Sequence, residues 1–204
     1  ITQKGIELEY DICIFATGSK AFVLPIEGSN LPSVIGWRTI QDTEQIIDIA
    51  SKKKKAIVIG GGLLGLECAR GLLDQGMDVT VLHLAEWLME MQLDRKAGDM
   101  LRADLEKQGM KFELQANSKR IIGHEDVEAV ELADGRVIET DLVVMAVGIR
   151  PYTEVAKDAG LDVQRGIVVN DFLQTSDSNI YAIGECAEHN GKVYGLVAPL
   201  YEQG

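Results

Sequence analysis

The 204 residues, 46 % apolar and 25 % charged, suffice for one large domain or two small ones around a true hydrophobic core. A formal charge of −12 argues against a nucleic-acid partner, whose phosphates reward clustered Lys and Arg. No apolar run is long enough to span a bilayer and no stretch reads as a signal peptide, so a cytoplasmic protein without a membrane partner is expected.

The first element is Gly5-Ile-Glu-Leu-Glu9-Tyr-Asp11-Ile-Cys-Ile-Phe-Ala16-Thr-Gly18, an apolar strand that closes on Ala-x-Gly. Thr43 to Ala50 carries helical periodicity, and the basic run Lys52 to Lys55 reads as a solvated loop before the next strand. Ala56 to Ile59 is a short β-branched run, as in a strand buried on both faces. Leu63 to Leu73 then shifts to helical spacing, with Leu64, Cys68 and Leu72 four apart. Between strand and helix lies G-x-G-x-x-G as Gly60, Gly62 and Gly65. In a dinucleotide fingerprint the first glycine makes the tight turn and the second lets the backbone approach a pyrophosphate. The third lets helix and strand pack closely. Amides at the helix start bind phosphate without basic side chains, which reconciles such a ligand with an acidic chain. A glycine-rich turn would share the pattern, but the flanking strand and helix, with a second strand at Asp78 to His83, favour the nucleotide reading.

That second strand ends Val79-Thr-Val-Leu-His83, with a histidine where an acid normally meets the ribose hydroxyls. His83 either bonds a ribose, faces a 2′-phosphate, or is a strand-end residue with no cofactor role. The first arginine beyond Val79 is Arg95, which leans the reading towards NADH over NADPH. Leu93 to Gln108 reads as a helix. Lys119 to Ile122, Val127 to Leu132 and Arg136 to Glu139 alternate polar and apolar residues, the mark of a three-stranded antiparallel crossover, with Asp134-Gly135 as a hairpin turn. His124 and His189 sit in polar, turn-like surroundings and read as surface residues.

Gly135-Arg-Val-Ile-Glu139-Thr-Asp141-Leu-Val-Val-Met-Ala146-Val-Gly148 repeats the first element in one register, matching Gly5, Glu9, Asp11, Ala16 and Gly18 and the apolar strand between them. This copy closes the domain opened by Gly60. By analogy Ile1 to Gly18 closes another dinucleotide domain whose fingerprint lies upstream, so the chain is expected to begin inside a larger protein. Near the end, Asn179-Ile-Tyr-Ala-Ile-Gly184-Glu185-Cys-Ala places a carboxylate at the carboxyl end of a strand, where open α/β sheets bind ligands. Alone it describes a polar turn equally well; beside the repeat and the Gly60 motif it points to a second cofactor. Cys13, Cys68 and Cys186 lie far apart with no C-x-x-C, which excludes a local metal knuckle and suggests no disulfide framework. Cys13 and Cys68 read as core thiols, and Cys186 lacks a partner for a dithiol couple.

Taken together, Ala16 to Gly18, Arg38-Thr39 with Asp42, the Gly60 motif with Glu67, Gly148 with Pro151, and Tyr181 to Glu185 resemble the pyridine nucleotide-disulfide oxidoreductase superfamily of FAD-dependent enzymes. Gly184-Glu-Cys186, Met91-Gln-Leu-Asp94 and Tyr194-Gly-Leu-Val-Ala-Pro199 resemble the flavoprotein module of NAD(P)H-dependent nitrite reductase large subunits within it. The resemblance implies a Rossmann-like α/β fold, a parallel sheet with helices on both faces plus an antiparallel crossover. It assigns residues 1–37 to the end of an FAD domain, 38–148 to an NAD(P)H domain and 149–204 to the return of the FAD domain.

It also implies roles by position. Gly60, Gly62, Leu63, Leu64 and Gly65 hold the nicotinamide dinucleotide's pyrophosphate, and Glu67 sits near the nicotinamide–flavin contact. His83, Gly148 and Arg38 complete that set. On the flavin side stand Thr17, Gly18, Gly184, Glu185 and the amide near Val197. The implied reaction passes hydride from NAD(P)H to FAD, carried by the cofactors, so no catalytic side chain and no metal is expected. A downstream redox domain or partner receives the electrons, and self-association is left open. The cysteine clusters of a sirohaem and iron–sulfur centre are absent, so the isolated chain is not expected to reduce nitrite. The rival readings are a rubredoxin or ferredoxin reductase, an NADH oxidase or peroxidase, a coenzyme A disulfide reductase, and, from another class, an NAD(H)-binding interaction module without turnover. Flavin content separates the last from the rest.

Overall fold

The computed structural model describes residues 5–204; Ile1–Lys4, the start of the first repeat's segment, lie outside the described residues. The chain divides into two compact units: a central one, Ala21–Gly148, and a flanking one formed by the stretch up to Lys20 together with Ile149–Gly204.

The central unit is built on a five-stranded parallel sheet in the order Val34–Gly36, Leu142–Met145, Lys55–Ile59, Asp78–His83, Lys111–Leu114. Alternate strand residues serve two separate cores, which is why these strands read as continuous apolar runs. Ala56, Val58, Val79, Val81, Leu142 and Val144 pack with residues of the helices Ile40–Ala50, Leu63–Asp74 and Arg95–Lys107. Ile57, Ile59, Leu82, Val143 and Met145 pack on the other face against Ile121, Val127, Val130 and Leu132. Those last residues belong to the antiparallel sheet Ser118–Gly123, Val127–Leu132, Val137–Glu139. The α/β class and the crossover thus stand as read from the sequence, with one difference in how the faces are shared. In this unit all three helices cover one face and the crossover covers the other, because its alternating strands have a single apolar face to bury. Each fully buried branched side chain, such as Ile57 or Leu82, contributes about 2 kcal/mol.

Local signals explain the element ends. Thr39 and Asp42 form a reciprocal capping box, so the first helix begins at Ile40, three residues before its periodicity becomes visible. Asp94 caps the third helix by accepting the Ala97 N–H. Leu24, Ile26, Leu31 and Val34 pack on the second core, so residues 21–37 fold with the central unit.

The basic run is a turn leading into the strand with Lys52, Lys54 and Lys55 exposed, as read from the sequence, and Lys53 is the half-buried exception. Lys52 pairs with Asp48, and Lys55 with Glu139. Lys53 reaches the Asp126 carboxylate, the Ser33 hydroxyl and the Asp141 carbonyl. Burial pushes the Asp126 carboxyl up, but hydrogen bonds from Lys53, Ser33 and the Val127 amide outweigh it and hold the group at about 2.

In the flanking unit Cys13–Phe15 runs parallel to Ile180–Ala182. Ile167–Val169 runs parallel to Ala187–His189, which pairs antiparallel with Lys192–Val193. Ala156, Ile167, Ile180, Ala182 and Cys186 form its core. The repeat extends to the backbone. Cys13–Phe15 and Leu142–Met145 are the matching strands, and the bounding glycines all take positive φ: Gly5 73° and Gly135 89°, Gly18 66° and Gly148 106°. That region favours glycine, which explains why these residues recur in both copies. Among the described residues no helix is long and apolar enough to cross a membrane.

Candidate functional site

The loop between Lys55–Ile59 and Leu63–Asp74 sits at the carboxyl end of the parallel sheet, where such sheets bind ligands. Of the four glycines in this loop and the first turn of the helix, three are required by packing. Gly60 has φ 120°, donates to the Leu82 carbonyl at 2.8 Å, and a Cβ there would lie 2.3 Å from the Ala146 oxygen. A Cβ on Gly61 would lie 2.7 Å from the His83 ring, and one on Gly65 would lie 1.8 Å from the Gly60 oxygen. Gly62 differs: its φ is −86°, and a Cβ there would meet no heavy atom within 4 Å. The fold itself does not ask for glycine at this position. Gly62 is also the helix N-cap, with no side-chain cap bond. The first-turn amides of Leu63, Leu64 and Gly65 therefore have neither an intrahelical acceptor nor a cap. Leu63 and Leu64 are exposed beside them.

A cleft of about 510 Å³ opens from this loop. Gly60 to Gly62, His83, Glu90, Asn117, Ser118, Ala146 and Val147 are among the residues that line it. Ser118 is 9 % exposed, and its hydroxyl has no hydrogen-bond partner among the described residues, although buried polar groups are normally satisfied. An orphaned hydroxyl and an open Gly62 on one cleft suit a polar ligand that approaches the backbone closely.

His83 is buried, and both its ring nitrogens are engaged within the protein. Nδ1 accepts the Gly61 N–H at 3.0 Å. Nε2 lies 3.0 Å from the Trp87 carbonyl and 3.0 Å from Glu90 Oε2. Of the other residues singled out in the sequence, Gly148 follows the cleft-lining Val147 and accepts the Phe22 N–H. Glu67 is exposed and lines a separate apolar hollow of about 150 Å³ with Trp37, Ile46 and Cys68. Arg38 is exposed, and its backbone N–H bonds Asp42. Burial pushes the Cys68 thiol up to about 12, as for a core cysteine.

In the flanking unit the Gly184–Cys186 turn follows Ile180–Ala182. Gly184 has φ 81° with no atom within 4 Å of a Cβ. Glu185 is 9 % exposed, and its Oε2 accepts the Ser19 hydroxyl at 2.6 Å. The Thr17 hydroxyl donates to the Tyr152 carbonyl at 2.7 Å, and Val197 opens the helix Val197–Gln203 with its side chain exposed. Cys186 is buried, with Sγ 3.1 Å from the Ile183 carbonyl. Gly61, Glu90, Asn117 and Ser118 were not singled out in the sequence. Asn117 and Ser118 closely follow the strand Lys111–Leu114, so the strand-end rule that found Glu185 would have found them. Glu90 carries no such signal.

Residues 1–204 match the family model described as pyridine nucleotide-disulphide oxidoreductase. The chain is 57 % identical over 203 residues to the nitrite reductase [NAD(P)H] of Bacillus subtilis, covering 100 % of this chain and 25 % of that protein. It is 50 % identical to the assimilatory nitrate reductase electron transfer subunit of the same organism, covering 100 % and 26 %. The crystal structure of a ferredoxin reductase from Rhodopseudomonas palustris superposes with a TM-score of 0.89 at 31 % identity, covering 95 % of this chain and 49 % of that one. The chain thus spans about a quarter of the length of these two curated relatives and about half of that solved chain.

Proposed function

Because the chain belongs to the pyridine nucleotide-disulphide oxidoreductase family, we propose that Ala21–Gly148 binds a nicotinamide dinucleotide and that the flanking unit forms part of an FAD site. The observation that carries the first assignment is Gly62, the one loop glycine that packing does not require. Its open face leaves room for a pyrophosphate, and the Leu63, Leu64 and Gly65 amides supply donors aligned with the positive end of the helix dipole. Gly60 shapes the turn, and Gly65 brings helix and strand together. When bound, the two cofactors supply hydride transfer from nicotinamide to flavin, and the chain's residues bind and orient them.

The other roles are carried by the resemblance: Glu67, Gly148 and Arg38 on the nicotinamide side, Thr17, Gly18, Gly184, Glu185 and Val197 on the flavin side. The open, left-handed Gly184 and the buried Glu185 at a strand's carboxyl end support the flavin assignment. The family is one of NAD(P)H-dependent oxidoreductases, and likeness to a nitrite reductase supports a finer reading. In it, this chain is the electron-input part of a nitrite-reducing enzyme and passes electrons to a downstream redox domain or partner.

The test is calorimetric titration with NADH and with NADPH, beside a Gly62→Asp control, followed by gel filtration after incubation with FAD. Binding lost in the control supports the nicotinamide site, because the introduced carboxylate would occupy the pyrophosphate's place. No binding of either nucleotide by folded protein refutes it. Nucleotide binding without retained flavin favours a binding module without turnover.

A further inference from the structure

The strand that follows the glycine loop ends in His83, where an acid would normally take the ribose hydroxyls. The ring itself is committed elsewhere. An amide N–H only donates, so the bond from Gly61 makes Nδ1 the acceptor, and the proton of the neutral ring sits on Nε2. That N–H points between the Trp87 carbonyl and the Glu90 carboxylate, each 3.0 Å away. His83 thereby links the glycine loop to an acid seven residues further along the chain.

Glu90 is held there by more than one bond. The preceding residue, Met89, takes φ 57°, a left-handed conformation that costs a non-glycine residue energy. Its N–H donates to the Gly61 carbonyl at 3.0 Å. Both polar groups of Gly61 thus tie the Glu90 segment to the loop, one through His83 and one through Met89. Trp87 anchors the same turn, its Nε1 donating to the Leu93 carbonyl. The Glu90 side chain lines the cleft and is 34 % exposed. Oε2 accepts the hydrogen bond from His83 Nε2–H, which leaves Oε1 for a ligand. Among the described residues no Lys or Arg lines the cleft, and the next basic residue, Arg95, pairs with Glu86 at 2.9 Å.

We propose that Glu90, positioned by His83, is the residue that recognises the adenosine ribose and selects NADH over NADPH. This rests on the nicotinamide-nucleotide reading above. A carboxylate accepts hydrogen bonds from the ribose hydroxyls, and the same carboxylate repels a 2′-phosphate that no cation of the cleft offsets. The strand-end histidine replaces the usual acid by importing one from the following turn.

The experiment measures affinities for NADH and NADPH in the full chain and in Glu90→Gln, Glu90→Asp and Glu90→Arg. The parent chain is expected to bind NADH roughly tenfold tighter than NADPH or better. Glu90→Gln should weaken NADH roughly tenfold while leaving NADPH unchanged or improved, which brings the ratio near one. Glu90→Arg should invert the preference, and Glu90→Asp should keep part of it. A ratio that stays within about twofold of the parent's in the Gln and Arg variants overturns the proposal, as does a parent chain that prefers NADPH. Both results leave the nucleotide site standing. A parent chain that is folded yet binds neither nucleotide overturns both readings together. Should Glu90→Gln fail to fold by circular dichroism, the Asp and Arg variants carry the comparison.

Discussion

Replacing Gly62 with alanine should separate ligand binding from folding. At φ −86° and ψ −173° the backbone is open to any residue, and the new methyl meets no heavy atom within 4 Å. Alanine is a poorer helix N-cap than glycine by about 0.5 kcal/mol, and the stiffer unfolded chain returns a similar amount. Stability should therefore move by less than about 0.5 kcal/mol. The methyl does occupy the space through which a pyrophosphate reaches the Leu63, Leu64 and Gly65 amides. Loss of one charge-assisted bond of about 1.5–3 kcal/mol lowers affinity roughly ten- to hundredfold. Gly65→Ala provides the contrast. Its Cβ would sit 1.8 Å from the Gly60 oxygen, so the helix must leave the strand and disturb buried Leu66 and Ala69, at a cost on the order of 3 kcal/mol. Urea unfolding followed by circular dichroism reads the stabilities, and NADH titration reads the affinities. If Gly62→Ala binds NADH within about twofold of the parent, or loses more than about 1.5 kcal/mol of stability, the reasoning about this glycine fails.

Two further predictions concern single polar groups. Ser118→Ala removes a buried hydroxyl that has no partner among the described residues, so the free chain should gain up to about 1 kcal/mol, while nucleotide affinity should fall severalfold; denaturation and titration of the same sample check both signs. Asp126 is held at about 2, below its ordinary 3.8, so its charged form stabilises the fold above pH 4 and the contribution is lost as pH falls from 4 through 2. With the Asp126 side chain 39 % exposed, solvent screening reduces the contribution to about 1 kcal/mol. Asp126→Asn should therefore cost about 1 kcal/mol at pH 7 in denaturant unfolding and progressively less as pH 2 is approached.

Much of the architecture was legible in the chain because it is encoded over short distances. Apolar runs such as Ala56 to Ile59 and Leu142 to Met145 declare buried strands, and the alternation in Val127–Leu132 declares a one-faced sheet. Gly60 and Gly65 declare the loop, since only glycine suits a left-handed backbone or one approached closely by another chain segment, and Gly62 completes the fingerprint. The repeat from Gly5 to Gly18 and from Gly135 to Gly148 is legible for the same reason, its bounding glycines all needing positive φ.

What the tertiary structure alone decided are relations between residues far apart in the chain or without periodicity. Which face of the sheet the helices cover depends on where the crossover buries its apolar side, a matter of packing and not of pattern. Residues 21–37 have no strong period, and their place beside Val127 and Val130 follows from long-range burial. Asp126, Glu139 and Asp141, the partners of Lys53 to Lys55, lie 73 or more residues away in sequence, so spacing along the chain does not reveal them. Glu90 shows the limit most plainly. Sequence locates the missing acid at His83, but a left-handed turn at Met89 and a histidine proton bring Glu90 to the cleft, and neither a turn's handedness nor a tautomer is written in residue spacing.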